Sequence, residues 1–158
     1  MVTLKTFQTS HITKKYLKWL KDKEVTKYTS IKSNQKFSQI YNYIKQHQNS
    51  KFQKIYRIFY LNKHIGNIRI SHIDKKEVSF GILIGEKNYQ AKKIGSKSLK
   101  LLIKILRKKN VGSIIAHVSK KNKIGLNFFR KNNFFTTNSK KYLLKIKRDT
   151  YFIFKLNI

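Results

Sequence analysis

The stretch from Val78 to Lys109 constrains the fold more tightly than any other part of the chain. VSFGILIG at its start is apolar and has the length of a buried strand; polar GEKNYQAKK runs on from Gly85, and Gly95 to Lys109 then carries the clearest helical period in the sequence. In that helix Leu99, Leu102, Ile103 and Leu106 form an apolar stripe, and Lys97, Lys100, Lys104, Arg107 and Lys108 fill the opposite, solvated face. A strand that ends in a polar loop and re-enters as a helix brings backbone N–H groups and the positive end of the helix dipole to one point. Such a point suits an anion, a pyrophosphate in particular, and Lys92 and Lys93 add charge to it. Gly85 and Gly95 do not fit a dinucleotide fingerprint and no G-x-x-x-x-G-K-[ST] occurs, which excludes the two commonest phosphate loops.

The rest of the chain is built around that unit. Val2 to Phe7 alternates as a first strand. Ile12, Tyr16, Trp19 and Leu20 recur as a short helix, and Ser33 or Asn34 caps a second one through Phe37, Ile40, Tyr41 and Ile44, ending in the polar segment His47 to Lys51. From Tyr56 the period becomes two: Tyr56 to Leu61, His64 to Ile73 and Val78 to Ile84 predict an antiparallel meander turning at Asn62-Lys63 and Asp74-Lys75-Lys76. Ser113 to Val118 predicts a buried strand and Asn122 to Asn132 an amphipathic helix, ended by Asn133 at positive φ. Phe134 to Ile158 predicts two strands turning near Asp149-Thr150. This order is α+β, and 158 residues without repeat or linker predict one domain over residues 1–158.

Hydrophobic residues at 40% and aromatic ones at 13% exclude a chain kept unfolded by its charge. Lys and Arg number 37 against 6 Asp and Glu, a formal charge of +31, and such a field attracts anions. Ala91 and Ala116 are the only alanines and Pro is absent, so codon bias explains part of the lysine excess, but not the scarcity of acids. No apolar run approaches the roughly 18 residues of a membrane span, and Met1 to Ser10 lacks the layout of a signal peptide, so a cytoplasmic location is expected. Without Cys there are no disulfides, thiolate nucleophiles or Cys-type zinc sites.

Gln90-Ala91-Lys92-Lys93-Ile94-Gly95 resembles the Q/R-x-x-G-x-G/A pyrophosphate loop of the GNAT superfamily of N-acetyltransferases. Lys93 stands at its usual first glycine, where a positive φ would cost about 1 kcal/mol. Asn122 to Phe134, NKIGLNFFRKNNF, is similar to the superfamily's N-x-x-S-x-x-x-Y-x-K-x-G-F helix; it retains Asn122, Lys131 and Phe134 and differs at Gly125, Phe129 and Asn133. WLKDKEVTKYT at Trp19 to Thr29 and KHIGNIRISHID at Lys63 to Asp74 resemble the branch of ribosomal-protein and nucleotide-sugar acetyltransferases. The resemblance implies a mixed, mostly antiparallel sheet with helices on both faces. It also implies acetyl-CoA as donor, an amine acceptor, and a splayed parallel pair, Val78 to Ile84 and Ser113 to Val118, that holds the pantetheine. Implied cofactor contacts are Leu83, Gly85, Gln90, Ala91, Lys92, Lys93, Ile94, Gly95, Ser96, Asn122 and Phe129, with main-chain N–H groups of Leu83 to Gly85 polarising the thioester carbonyl.

Acyl transfer to an amine needs a neutral nucleophile, a stabilised oxyanion and a proton for the leaving thiolate. His117, five residues before Asn122, matches by position the general-base glutamate of the ribosomal-protein alanine acetyltransferases; a polar residue near a strand end is the plainer reading of it. His72 and Glu86 are weaker alternatives. The family's tyrosine acid is matched by Phe129, which has no proton to give, so another Tyr, water or the ammonium of the intermediate serves. Core packing explains Phe129 equally well, and Asn122 is placed to cap its helix as well as to meet CoA. With only Asp22, Glu24, Asp74, Glu77, Glu86 and Asp149, a pocket for a polyamine or an aminoglycoside is hard to assemble. The expected acceptor is therefore a phosphate-bearing amine, a nucleotide-linked amino sugar first and a protein N-terminus second. The non-enzymatic alternative is a basic nucleic-acid-binding module on the same fold, stacking bases on Tyr56, Phe59 and Tyr60; weak nonspecific contact with nucleic acid is compatible with either.

Overall fold

Alternating polar and apolar residues make the centre of the molecule a seven-stranded sheet in the computed structural model, which describes residues 1–90, 92–142 and 150–158. β1 (Val2–Thr6), β2 (Gln53–Tyr60), β3 (Lys63–His72) and β4 (Glu77–Ile84) pair antiparallel in that order. β5 (Ser113–Ser119) lies parallel to β4; β7 (Tyr151–Asn157) returns antiparallel beside it, with β6 (Phe135–Thr136) at the far edge. The strand order is β1-β2-β3-β4-β5-β7-β6, the expected mostly antiparallel sheet with one parallel pair.

Five helices cover the two faces: α1 (Lys14–Lys21), α2 (Lys23–Thr26), α3 (Phe37–Asn49), α4 (Ile94–Arg107) and α5 (Lys123–Lys131). Successive strand residues point to opposite faces, so Ile55 packs with Trp19, Leu20, Ile40 and Ile44, while Tyr56 and Ile58 pack with Leu99, Leu102 and Leu106. Each fully buried aliphatic side chain contributes about 1.5–3 kcal/mol, and together they fix α1–α3 on one face and α4–α5 on the other.

Several boundaries depart from the sequence pattern for local reasons. α3 is capped at Lys36, not at Ser33 or Asn34, because Gln39 reaches back to accept the Lys36 N–H at 2.8 Å. Asp22 ends α1 and starts α2, a short helix the apolar period did not disclose, by accepting the Glu24 N–H at 2.9 Å. The β2–β3 turn is centred on Leu61 and Asn62, at φ 47° and 61°, one residue earlier than expected. Asp74 makes its expected turn, accepting the N–H groups of Lys76 and Glu77 at 2.7 and 3.0 Å, and Asn133 has the expected positive φ, 63°. At the C-terminal end β6 is only two residues long, and Asp149 of the expected turn lies outside the described residues. Among the described residues no helix is long and apolar enough to cross a membrane.

Candidate active site

β4 and β5 stay paired only at Glu77–Ser113, Val78–Ile114 and Ser79–Ile115. Beyond this β4 continues beside β3 and β5 beside β7, so an opening forms between residues 81–84 and 116–119. The β3 ladder decides which backbone groups face that opening. Ile73 N–H donates to the Glu77 carbonyl and Gly85 N–H to the Ile65 carbonyl, both at 2.9 Å. Hydrogen-bonding direction alternates along an antiparallel strand, so the odd residues of β4 turn to β3 and the even ones turn away. The amides of Leu83 and Gly85, two of those expected to meet a thioester, are therefore committed to β3; Ile82 and Ile84 present theirs to the opening. An all-apolar run such as ILI hides this one-residue offset from the sequence.

At the end of β4 the Gln90 side chain donates to the Ile84 carbonyl at 3.0 Å, fastening the loop to the mouth of the opening. Lys93 then adopts φ 57° and ψ 10°, the left-handed conformation of the glycine it replaces, and starts α4 without a side-chain cap. The N–H groups of Ile94, Gly95 and Ser96 find no backbone acceptor among the described residues, and the first turn of α4 holds no acid. Lys92 and Lys93 are exposed beside them. Unspent donors, a helix dipole and two cations fit a pyrophosphate. Ile94 is itself buried in the core, Gly95 lies where a Cβ would come within 3.1 Å of Phe128, and the Ser96 hydroxyl is held by Asn132 at 2.9 Å. Ala91 lies outside the described residues.

The remaining candidates separate. Ile114, Ala116 and Val118 point to the α4–α5 face, so His117 projects on the α1–α3 side, at the edge of the opening. Its Nε2 lies 2.7 Å from the Tyr142 carbonyl, which can only accept; Nε2 therefore carries the hydrogen and Nδ1 the lone pair of the neutral ring. Asn122 caps α5 by accepting the Gly125 N–H at 2.9 Å. Phe129 is a core residue, stacked on Phe154 and edge-on to Phe80, Phe128 and Phe134, so packing accounts for it without a cofactor contact. His72 pairs with Val78 at the closed end of the strand pair, away from the opening. Glu86 accepts from the Trp19 indole N–H at 2.8 Å and pairs with Lys15 at 3.3 Å. The Trp19 ring in turn lies over Gly85, where a Cβ would come within 2.1 Å of it.

Two features of the strand pair carry no mark in the sequence. Asn67, Arg69 and Ser71 alternate with apolar Ile68 and Ile70, which places all three on the α1–α3 face; that alternation was readable, its meaning was not. Glu77, outwardly one acid among six, is buried and bonded to Ser113, Tyr142, Lys141 and Lys155 at the closed end.

A family model, the acetyltransferase (GNAT) domain, matches residues 2–134. No curated protein matches the chain in sequence. Solved structures share its fold at low identity. A domain from Methanocaldococcus jannaschii superposes with TM-score 0.81 at 19% identity, covering 100% of this chain and 99% of that one. RimL, a ribosomal L7/L12 alpha-N-protein acetyltransferase in complex with coenzyme A, gives 0.81 at 16%, covering 99% and 94%. The Campylobacter jejuni N-acetyltransferase PseH in complex with acetyl coenzyme A gives 0.70 at 18%, covering 99% of each. The family match runs from the first strand past the diverging strand pair to the end of α5, and the chain belongs to the GNAT family of acetyltransferases.

Proposed function

We propose that this N-acetyltransferase takes the acetyl group of acetyl-CoA to a primary amine on a nucleotide-linked amino sugar. The observation that carries the choice of acceptor is the placement of the carboxylates. Asp22 pairs with Lys87 at 2.8 Å, Glu86 with Lys15, and Asp74 and Glu77 with Lys141 at the closed end, while Glu24 is exposed on α2. Among the described carboxylates only Glu24 has no ion pair, too little negative charge to hold a polycation, and the loop at the mouth of the opening carries Lys87, Lys92 and Lys93. Such a field favours an amine that carries phosphate.

Acetyl-CoA supplies the acetyl group as an activated thioester. The first-turn amides of α4, with Lys92 and Lys93, would hold its pyrophosphate, and the N–H groups of Ile82 and Ile84, free to face the opening, would bond its pantetheine and polarise the thioester carbonyl. His117, oriented through Nε2 by the Tyr142 carbonyl, takes the amine proton on Nδ1. Phe129 has no proton to donate, so thiolate protonation falls to another group or to solvent.

The test is thiol release from acetyl-CoA with three acceptors: a nucleoside-diphosphate-linked amino sugar, a peptide with a free N-terminus, and no amine but added RNA. Release with the sugar is expected. Release with the peptide alone would replace the acceptor; tight RNA binding without any release would favour the non-enzymatic module.

A further inference from the structure

We infer that Arg69 binds an anionic group of the acceptor, over a floor that Gly81 keeps open. The inference rests on the function proposed above and assigns the part of the same opening that selects the acceptor.

Ile55, Arg69 and Gly81 stand side by side across β2, β3 and β4. Residues paired directly across strands share a face, and Ile55 is buried with Trp19 and Ile44, so Arg69 projects on the α1–α3 side. There its positive charge bears on Tyr43 and His47 of α3: burial dominates both groups, raising the tyrosine and lowering the histidine, and Arg69 pulls both downward. Arg69 is partly buried and joins no ion pair among the described residues.

Beside it, a Cβ added to Gly81 would meet nothing within 4 Å, whereas at Gly66, Gly85 and Gly125 it would collide with a neighbour. Packing does not demand a glycine at 81; the missing side chain leaves room. Ser79 is level with Ile115, so two residues further Gly81 and His117 lie on the same face, on opposite banks of the opening. One surface thus offers a vacant floor, the base candidate on one side and a planar five-donor cation on the other, the geometry that takes phosphate oxygens in pairs. α4 lies across the sheet from it, so the protein has two separate anion positions: the α4 terminus for the donor and Arg69 for the acceptor.

Calorimetric titration of UDP and of inorganic pyrophosphate into CoA-saturated protein tests this, because CoA already fills the α4 terminus. Wild type should bind both and prefer UDP. Arg69→Met should weaken both by about tenfold or more, Arg69→Lys less, and Gly81→Val should block them, while CoA affinity, measured on the same samples, shows that each variant is folded. Equal loss of the two ligands without any wild-type preference for UDP would keep the Arg69 site and discard the nucleotide sugar. Unchanged binding in Arg69→Met would overturn the Arg69 assignment and leave the acceptor proposal standing. Binding of neither probe by CoA-saturated wild type would also overturn the assignment.

Discussion

The two ends of β4 treat polar groups in opposite ways. At the closed end Glu77 accepts from the Tyr142 hydroxyl at 2.6 Å, the Ser113 hydroxyl at 2.9 Å and Lys155 at 3.0 Å, and Lys141 bridges it to Asp74. Burial pushes the Glu77 carboxyl up, but the bonds from Lys141, Tyr142, Lys155 and Ser113 outweigh it and hold the group down at about 2. The surface hollow at that end is lined by the same Asp74, Glu77, Ser113 and Lys141, whose polar groups already bond one another. At the open end the amides of Ile82 and Ile84, the first turn of α4, Lys92, Lys93 and Arg69 have no such mutual pairing among the described residues. Polar groups that satisfy each other hold the strand pair shut; those left over where it parts are disposed to meet a ligand.

If that division is right, changes at the closed end should act on stability and changes at the open end on binding and rate. Glu77→Gln should have the largest effect, lowering stability by about 2–3 kcal/mol, less than a fully buried broken pair because Lys141 is half exposed and screened. In a thermal melt that is roughly 5–10 °C, with acetyl-CoA affinity of the folded protein unchanged. The pH dependence has a definite sign. A carboxyl held at about 2 against an ordinary 4.5 contributes stability that is complete above 4.5 and is lost as pH falls towards 2, so Glu77→Gln should flatten acid denaturation across that window. Lost acetyl-CoA affinity without lost stability would erase the distinction between the ends.

His117→Ala comes next: turnover should drop roughly 10²-fold while calorimetry shows acetyl-CoA affinity intact. Turnover at the wild-type rate would leave His117 as a strand-end residue bonded to Tyr142. Phe129→Tyr should bury a hydroxyl among Phe80, Phe134 and Phe154 at a cost of about 1–3 kcal/mol without raising turnover; a faster enzyme would show that this ring edge reaches the thiolate. The smallest change is expected from Lys93→Gly. Relief of about 1 kcal/mol of left-handed strain offsets the loss of a cation, so acetyl-CoA affinity should move only a few-fold, and its salt dependence should weaken. An unchanged salt slope would place the Lys93 side chain away from phosphate.

The sequence made the strand-loop-helix unit legible because three signals coincide there: an apolar run, a polar loop and a period of 3.6. Lys93 kept the backbone of the glycine it replaces, since the geometry is set by the strand before it and the helix after it. Backbone direction was not legible: an all-apolar run does not show that the amides of Ile82 and Ile84 face the opening while those of Leu83 and Gly85 face β3. Glu77, Tyr142 and Lys155 share no motif; the β4–β5–β7 register and the helical turn Lys140–Tyr142 bring them together. Gly81 likewise looks like any strand glycine until Arg69 is found level with it.

Amide hydrogen exchange with and without acetyl-CoA tests the contrast between the two ends most directly. Protection should rise at Ile82, Ile84, Ile94, Gly95 and Ser96 and stay unchanged at Glu77, Ser79 and Ser113. Protection confined to the closed end, or none at Ile84 and the first turn of α4 at saturating acetyl-CoA, would contradict it.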